Sequence, residues 1–483
     1  MAEHILFLTG KLAEQRLNRV LQDLAPAFTW EVRNIGISVA ALMTASLIRK
    51  RVTDAGGADR ILVPGLCRGE LEPLAGELGV PVERGPEDLK NLPAFFGGSV
   101  RPPDLSRYSV NIFAEIVEAP SMDIDAILDR ARRYARDGAD VIDIGCLPDT
   151  PFPHLEEAIR ALKDAGFSVS IDSLEEEDLL RGARAGADYL LSLRESTLWI
   201  ARETAAVPIL IPESHGDLES LYRAMDTLRA ENRPFIADSV LDPVHFGFAA
   251  SLLRYSRLRE RFPDQEIMMG IGNITELTEA DTTGINAVLF GLISELDINH
   301  VLTTEVSPHA RTAVREADRA RRMMHYAREM SSLPKGIDDS LITTHARQPF
   351  TDSLDDIREL AAAIRDPNYR VMLGPEGMHV FNRDGLVSGR DPFSLFPDLA
   401  ELEADPPHAF YMGVELARAQ IAWQLGKRYV QDEELDWGAA VPPERLSESE
   451  RRSRAAHAVK EGDFKEAGST LKARRKTSRK KKK

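Results

Sequence analysis

Between residues 108 and 331 the chain repeats one pattern eight times: a short apolar run, a turn, then a stretch with helical spacing. The runs are "YSVNIFAEI", "DVIDIG", "FSVSID", "DYLLSL", "VPILIP", "PFIADSVL", "EIMMGIG" and "HVLTTEV". Most are apolar on both faces, as strands are in a parallel sheet covered by helices. The stretch between the first two runs, "MDIDAILDRARRYARDG", places Ile124, Ile127, Leu128 and Ala131 on one helical face, and Gly138 suits its C-terminal stop. Eight strand–helix units in about 225 residues predict a (β/α)8 barrel, a fold of typically ~250 residues.

The flanks read differently. Residues 1–100 alternate "HILFLTG", "FTWEVRNIG", "RILVPGL" and "VPVERGP" with helical stretches, which predicts a small N-terminal α/β domain. Gly97 to Arg107, rich in Gly and Pro, reads as a linker. Residues 335–440 predict a small α+β domain. There "NYRVMLGPEGMHVFNRDG" alternates like strands around a turn, and "HAFYMGVELARAQIAWQLGKRYVQDEEL" reads as one long helical stretch. In it Glu415, Arg418 and Lys427 are expected on a solvated face, and Trp423, Tyr429 and Trp437 in packing. Residues 441–483 are polar and end in a basic, disordered tail. The expected class is α/β: a central TIM barrel with an N-terminal α/β and a C-terminal α+β domain.

Charge narrows the partners. The net charge is −16, and the nine basic residues of Lys472–Lys483 lift it there from −25 on residues 1–471. An acidic body is a poor general ligand for nucleic acid, so no specific nucleic-acid partner is expected. Two distant cysteines, Cys67 and Cys146, exclude a disulfide framework and fit a reducing compartment. The start lacks a basic, cleavable leader and no apolar run is of membrane-span length, which predicts a cytoplasmic protein. The apolar "AFYMG" leaves a homo-oligomer interface open.

In a (β/α)8 barrel the chemistry sits at the C-terminal ends of the strands. Those ends deliver Asn111 and Glu115, Asp143 with Cys146 and Asp149, and Asp172 with Ser173. Farther on they deliver Ser192, Arg194 and Glu195; Glu213 and His215; Asp238, Ser239, Asp242 and His245; Asn273; Glu305 and His309. An acidic mouth suits a ligand rich in N–H donors, because a carboxylate accepts two parallel bonds from an amidine-like edge. Asp172 and Asp242 are the two acceptors this predicts; for Asp149 and Glu195 a helix cap is the plainer role. His215, His245 and His309 lack ligand spacing, so no histidine-held metal is expected. Cys146 has no base beside it in sequence and reads as packing.

"ARRYARDGADVIDIG", "FSVSIDS", "GADYLLSL" and "VLDPVHFGF" together resemble the pterin-binding barrel of dihydropteroate synthases over roughly residues 108–330. With "PGLCRGEL" before the barrel and the long "HAFYMGVELARAQ" segment after it, the whole chain is similar to the dihydropteroate synthase-related proteins of organisms that make tetrahydromethanopterin. The resemblance implies a transferase of one-carbon metabolism. It would join a dihydropterin pyrophosphate to an arylamine, an aminobenzene ribofuranosyl phosphate, and release pyrophosphate. It implies that Asp172 and Asp242 bind the pterin; beside them we expect Asn273 as a third contact, and Asp143 and Ser192 as residues that shape the pocket.

This chain departs from that family where pyrophosphate is handled. "IFAEIVEAPS" stands in place of "NVTPDSF", "GIGNITE" in place of the "SRK" turn, and "LTTE" in place of "RVHD". A pyrophosphate leaving group needs positive charge or a metal nearby. Arg194, or Mg²⁺ held by Glu115 and its neighbours, could substitute. Two other readings stay open. "GIGNIT" resembles the "GLSNVS" turn of methyltetrahydrofolate-dependent methyltransferases, where Asn273 would contact the pterin. A non-catalytic pterin-binding or assembly protein is the third.

Overall fold

The computed structural model describes residues 2–98, 102–147, 150–400 and 402–441. Asp149 and the basic tail lie outside them. The chain forms two compact units. The first comprises residues 1–274, 288–303 and 320–338; the second comprises 275–287, 304–319 and the described part of 339–483. Among the described residues no helix is long and apolar enough to cross a membrane.

The first unit opens with a four-stranded parallel sheet in the order β2-β1-β3-β4: β1 (His4–Thr9), β2 (Thr29–Asn34), β3 (Arg60–Val63) and β4 (Val82–Arg84). Alternation in β1 buries two layers. Ile5 and Phe7 pack with Leu17 and Leu21 of the helix Lys11–Leu24, while Leu6 and Leu8 pack with Ile48 and Leu74 on the other face.

An eight-stranded parallel barrel follows, as the periodicity predicts. Its strands are β5 (Asn111–Ile116), β6 (Val141–Gly145), β7 (Ser168–Asp172), β8 (Tyr189–Leu193), β9 (Val207–Leu210), β10 (Ile236–Ala237), β11 (Met268–Gly270) and β12 (His300–Thr304). The hydrogen-bonded order is β10-β9-β8-β7-β6-β5-β12-β11, and a parallel bridge between Ala237 and Ile267 joins the two outer strands. Inside, Phe113, Val141, Leu191, Ile209, Ile236 and Met268 form an apolar plug, so the interior is a packed core. Helices start and stop on local chemistry: Asp123 caps the helix Ile124–Asp137 by accepting from Ala126 N at 2.8 Å, and Gly138 ends it at φ 112°.

The turns into several strands carry a latch. Asp140, just before β6, accepts from Ile112 N of β5 at 2.8 Å and from Tyr108 Oη at 2.9 Å. Arg321, buried on the helix Ala313–Glu329, also donates to Asp140, and reaches the carbonyls of Val110 (2.7 Å) and Gly138 (2.8 Å). Asp188, before β8, repeats the device: it accepts from Val169 N of β7 (2.8 Å), Ser168 Oγ (3.1 Å) and Lys163 Nζ (2.7 Å). Asn299, before β12, takes Ile267 N at 3.1 Å. The recurring "GAD" of the sequence therefore fastens strand starts.

In the second unit β13 (Arg370–Gly374), β14 (Gly377–Asn382) and β15 (Gly385–Gly389) form an antiparallel sheet, one strand more than the alternation suggests. Met412, Leu416, Ala419 and Ala422 of the helix Pro406–Leu425 pack in one core with Val371, Leu373, Met378 and Val380. This helix is shorter than its sequence suggests, ending at Gly426 with φ 60°. The expectation of a solvated face fails for two of its three residues. Glu415 is buried and accepts from Tyr429 Oη (2.7 Å) and Arg418 (2.9 Å). Lys427 is buried too, donating to Thr343 O at 2.6 Å with its ammonium 4.5 Å from the Trp437 ring. Charges at these positions stay inside because each finds a donor, an acceptor or a ring. Phe410, Val414 and Ile421 of the same helix are exposed.

Candidate functional site

Strands β5, β6 and β7 carry the densest chemistry. Their register sets Glu115 beside Asp143, Asp143 beside Ser170, and Gly145 beside Asp172. Glu115, Asp143 and Asp172 each offer a carboxylate oxygen, and the three oxygens lie within 4.8 Å of one another. Gly145 permits this approach: a Cβ there would stand 2.6 Å from Glu115 Oε1.

Hydroxyl groups hold two of the carboxylates. Ser170 Oγ donates to Asp143 Oδ1 at 2.5 Å, and Ser192 Oγ donates to Asp172 Oδ1 at 2.8 Å. Ser192 does so from a left-handed backbone, φ 72°. Asp143 is fully buried, and among the described residues no donor reaches its Oδ2. Burial, then the nearby Asp172 and Glu115, push the Asp143 carboxyl well above the usual range. Burial also raises Asp172, against the Ser192 bond. Asp172 itself is half-buried.

A second group follows β10. Asp238 accepts from Tyr255 Oη at 2.5 Å and Val240 N at 2.7 Å, and burial pushes its carboxyl up to about 6. Val240 adopts φ 65°, an uncommon conformation for a β-branched residue. Asp238 fixes its N–H, and Arg254 Nη2 its carbonyl at 2.8 Å. The resulting turn presents Asp242, whose oxygens are both engaged: Oδ2 by buried Arg254 at 2.7 Å, Oδ1 by exposed His215 at 3.0 Å. Asn273 joins this group through the backbone, its Nδ2 donating to Leu241 O at 2.7 Å.

The structure thus brings Glu115, Asp143, Asp172 and Ser192 into one contact network. Asp242 and Asn273 meet the strand-six turn instead. Arg194 follows β8 half-buried; its backbone N–H donates to Thr197 Oγ1 at 2.8 Å, and among the described residues no acceptor reaches its buried Nε. Glu195 pairs with Arg223 at 2.7 Å, and His309 Nε2 lies 3.1 Å from Thr275 O. Sequence reasoning missed Arg254 and Tyr255. Their only signal is an arginine and a tyrosine among the apolar positions of "AASLLRYSRL".

Residues 3–87 match a family of unknown function, DUF6513. The chain is 24% identical, over 527 aligned positions, to an uncharacterized protein of Methanocaldococcus jannaschii, covering 89% of this chain and 98% of that one. Among solved structures it is similar to the 7,8-dihydropteroate synthase of Vibrio fischeri ES114, at 14% identity, 47% of this chain, 94% of that chain and a TM-score of 0.38. It is also similar to the dihydropteroate synthase of Yersinia pestis, at 17% identity, 47% of this chain, 95% of that chain and a TM-score of 0.35.

Proposed function

We propose that this protein is a pterin-binding transferase of the dihydropteroate synthase type, condensing a dihydropterin pyrophosphate with an aminobenzene acceptor in folate- or tetrahydromethanopterin-type biosynthesis. The observation that supports this most is the convergence of Asp143 and Asp172 with Glu115 at one end of the barrel. A pterin offers a 2-amino group and ring N–H groups along one edge. Enclosed carboxylates are the acceptors that edge needs, and in a site with little water each bond counts for more. Asp172 is the central acceptor, oriented by Ser192, and Asp143 with Ser170 forms the floor beneath it. Asp242, held at Oδ2 by Arg254, contributes through Oδ1, where the ligand edge would take the place of exposed His215, and Asn273 holds the turn that presents it. Orientation of the pterin methylene toward the incoming amine is the main catalytic task in this reading. In the methyl-transfer alternative Asn273 would meet the pterin through Oδ1 or its second N–H, the first being given to Leu241 O.

The test is calorimetry with 6-hydroxymethyl-7,8-dihydropterin, followed by a pyrophosphate-release assay with the dihydropterin pyrophosphate and the ribosylated aminobenzene phosphate. Asp172→Asn should weaken pterin binding about 10- to 150-fold, the equivalent of ~1.5–3 kcal/mol for one hydrogen bond to a charged group. Binding of wild-type strength by that variant sinks the proposal. Pterin binding without pyrophosphate release would leave a binding protein in place of an enzyme.

A further inference from the structure

The two partners of the Asp242 carboxylate are unlike each other. Arg254, on Oδ2, has a side chain only 9% exposed and also donates to the carbonyls of Ser239 (3.2 Å) and Val240 (2.8 Å), so it belongs to the fold. His215, on Oδ1, has a side chain 69% exposed, against 6% for Asp242. Among the described residues nothing else bonds to this carboxylate. Gly247 closes in on Oδ2: a Cβ there would stand 2.6 Å from it. An ionised carboxylate only accepts, so Nε2 of His215 carries the hydrogen. An imidazole that lies mostly in water therefore covers the outer oxygen of a buried carboxylate.

We propose that His215 is a side-chain gate over Asp242, which must swing off Oδ1 before a ligand with an N–H donor edge binds there. The backbone on either side of it is fastened. Glu213 donates its N–H to Ser220 Oγ at 2.9 Å, and its carboxylate accepts from Ser196 N at 3.0 Å and Ser196 Oγ at 2.8 Å. Asp217 donates its N–H to Ser214 O at 3.0 Å and caps the helix Leu218–Ala230 by accepting from Ser220 N at 3.2 Å. Opening is thus the rotation of one exposed ring and not the lift of a loop, a fast motion. Its cost is the His215–Asp242 bond, and the apparent affinity of a ligand falls by the fraction of molecules that stand open. A ligand offsets that cost only by returning an N–H to Oδ1. The gate therefore selects for a donor edge and against an acceptor in the same place. That the donor edge belongs to a pterin rests on the function proposed above; the gate itself rests on Asp242, Arg254 and His215.

The experiment compares full-length wild type, His215→Ala and His215→Gln by calorimetry. The probes are 6-hydroxymethyl-7,8-dihydropterin and isocytosine, which carries the same amino and ring N–H edge on a single ring. His215→Ala should bind roughly 3- to 30-fold more tightly than wild type, between the values for an exposed ion pair and for a bond to a buried charge. His215→Gln, whose amide N–H reaches the same oxygen, should bind as wild type does. Damage to the fold weakens binding, so tightening is not a structural side effect. If His215→Gln tightens as much as His215→Ala, the bond to Asp242 is not the gate. If wild type binds the dihydropterin and His215→Ala binds it no more tightly, the gate is wrong and the pterin reading stands. If the dihydropterin binds none of the three proteins but isocytosine binds His215→Ala more tightly than wild type, the gate stands and the pterin reading falls. If the dihydropterin binds none of them and isocytosine gains nothing from the change, both fall.

Discussion

Replacing Arg321 by methionine tests whether the latches below the barrel hold it together. The arginine side chain is 1% exposed and donates to Asp140, Val110 O and Gly138 O, with its guanidinium carbon 3.6 Å from the Tyr108 ring centroid. Removing one partner of a buried ion pair costs roughly 3–5 kcal/mol. Asp140 softens that: its side chain is 22% exposed and keeps the Ile112 N–H and the Tyr108 hydroxyl. The two carbonyls lose their donor, and the ring contact is worth about 0.5–1 kcal/mol more. We therefore expect Arg321→Met to cost about 3 kcal/mol. Several folded parts make one melting temperature a poor measure, so amide hydrogen exchange by mass spectrometry is the assay. Peptides covering β5 and β6 should exchange about a hundredfold faster, the factor that 3 kcal/mol implies. Asp140→Asn alone should cost less, and the double variant should cost less than the sum, with a coupling of roughly 1.5–3 kcal/mol. Unchanged exchange in those peptides, or strict additivity, would refute the latch.

Asp238 makes a prediction about pH. Burial pushes its carboxyl up to about 6, about two units above that of an exposed aspartate. The unfolded chain therefore loses its proton first as pH rises. The stability carried by the neutral acid is fully present below pH ~4, is lost between ~4 and ~6, and changes no further above that. The loss is of order 3 kcal/mol, and Asp238→Asn should flatten that part of the urea-midpoint profile between pH 4 and 8; an unchanged slope would refute the assignment. Gly145→Ala makes a prediction about the site. Its Cβ would meet Glu115 Oε1 at 2.6 Å, the end of a flexible side chain, and the backbone Cα of Val117 at 3.2 Å, which has less room to give. Stability should fall by about 1–3 kcal/mol by chemical unfolding, the range for overpacking, and dihydropterin affinity at least severalfold; equal affinity would show that Glu115 takes no part.

Much of this architecture is legible in the sequence because parallel strands buried on both faces leave unbroken apolar runs, and eight of them count a barrel. Asp172 is legible for the same reason: a charge that closes "VSIDS" must sit at a strand end. Asp143 is harder, since it interrupts "VIDIG" and only its register with Glu115 and Ser170 explains it. The Arg254–Asp242–His215 group is invisible in a linear reading, because it needs a helix, a strand end and a loop in contact. Glu415 and Lys427 mislead for a related reason. Periodicity assigns a face, but whether that face meets solvent depends on what Tyr429, Thr343 and Trp437 bring to it.

The recurring Gly-Ala-Asp turns have a consequence for redesign. Asp140 stands three residues before Asp143 and Asp188 four before Ser192, a span of roughly 10–13 Å along an extended strand. Strands β6 and β8 therefore each carry an anchor at one tip and a candidate-site residue at or toward the other. Replacing the rim groups with another set of side chains leaves the fasteners untouched, so the scaffold can accept a new specificity without being rebuilt from below.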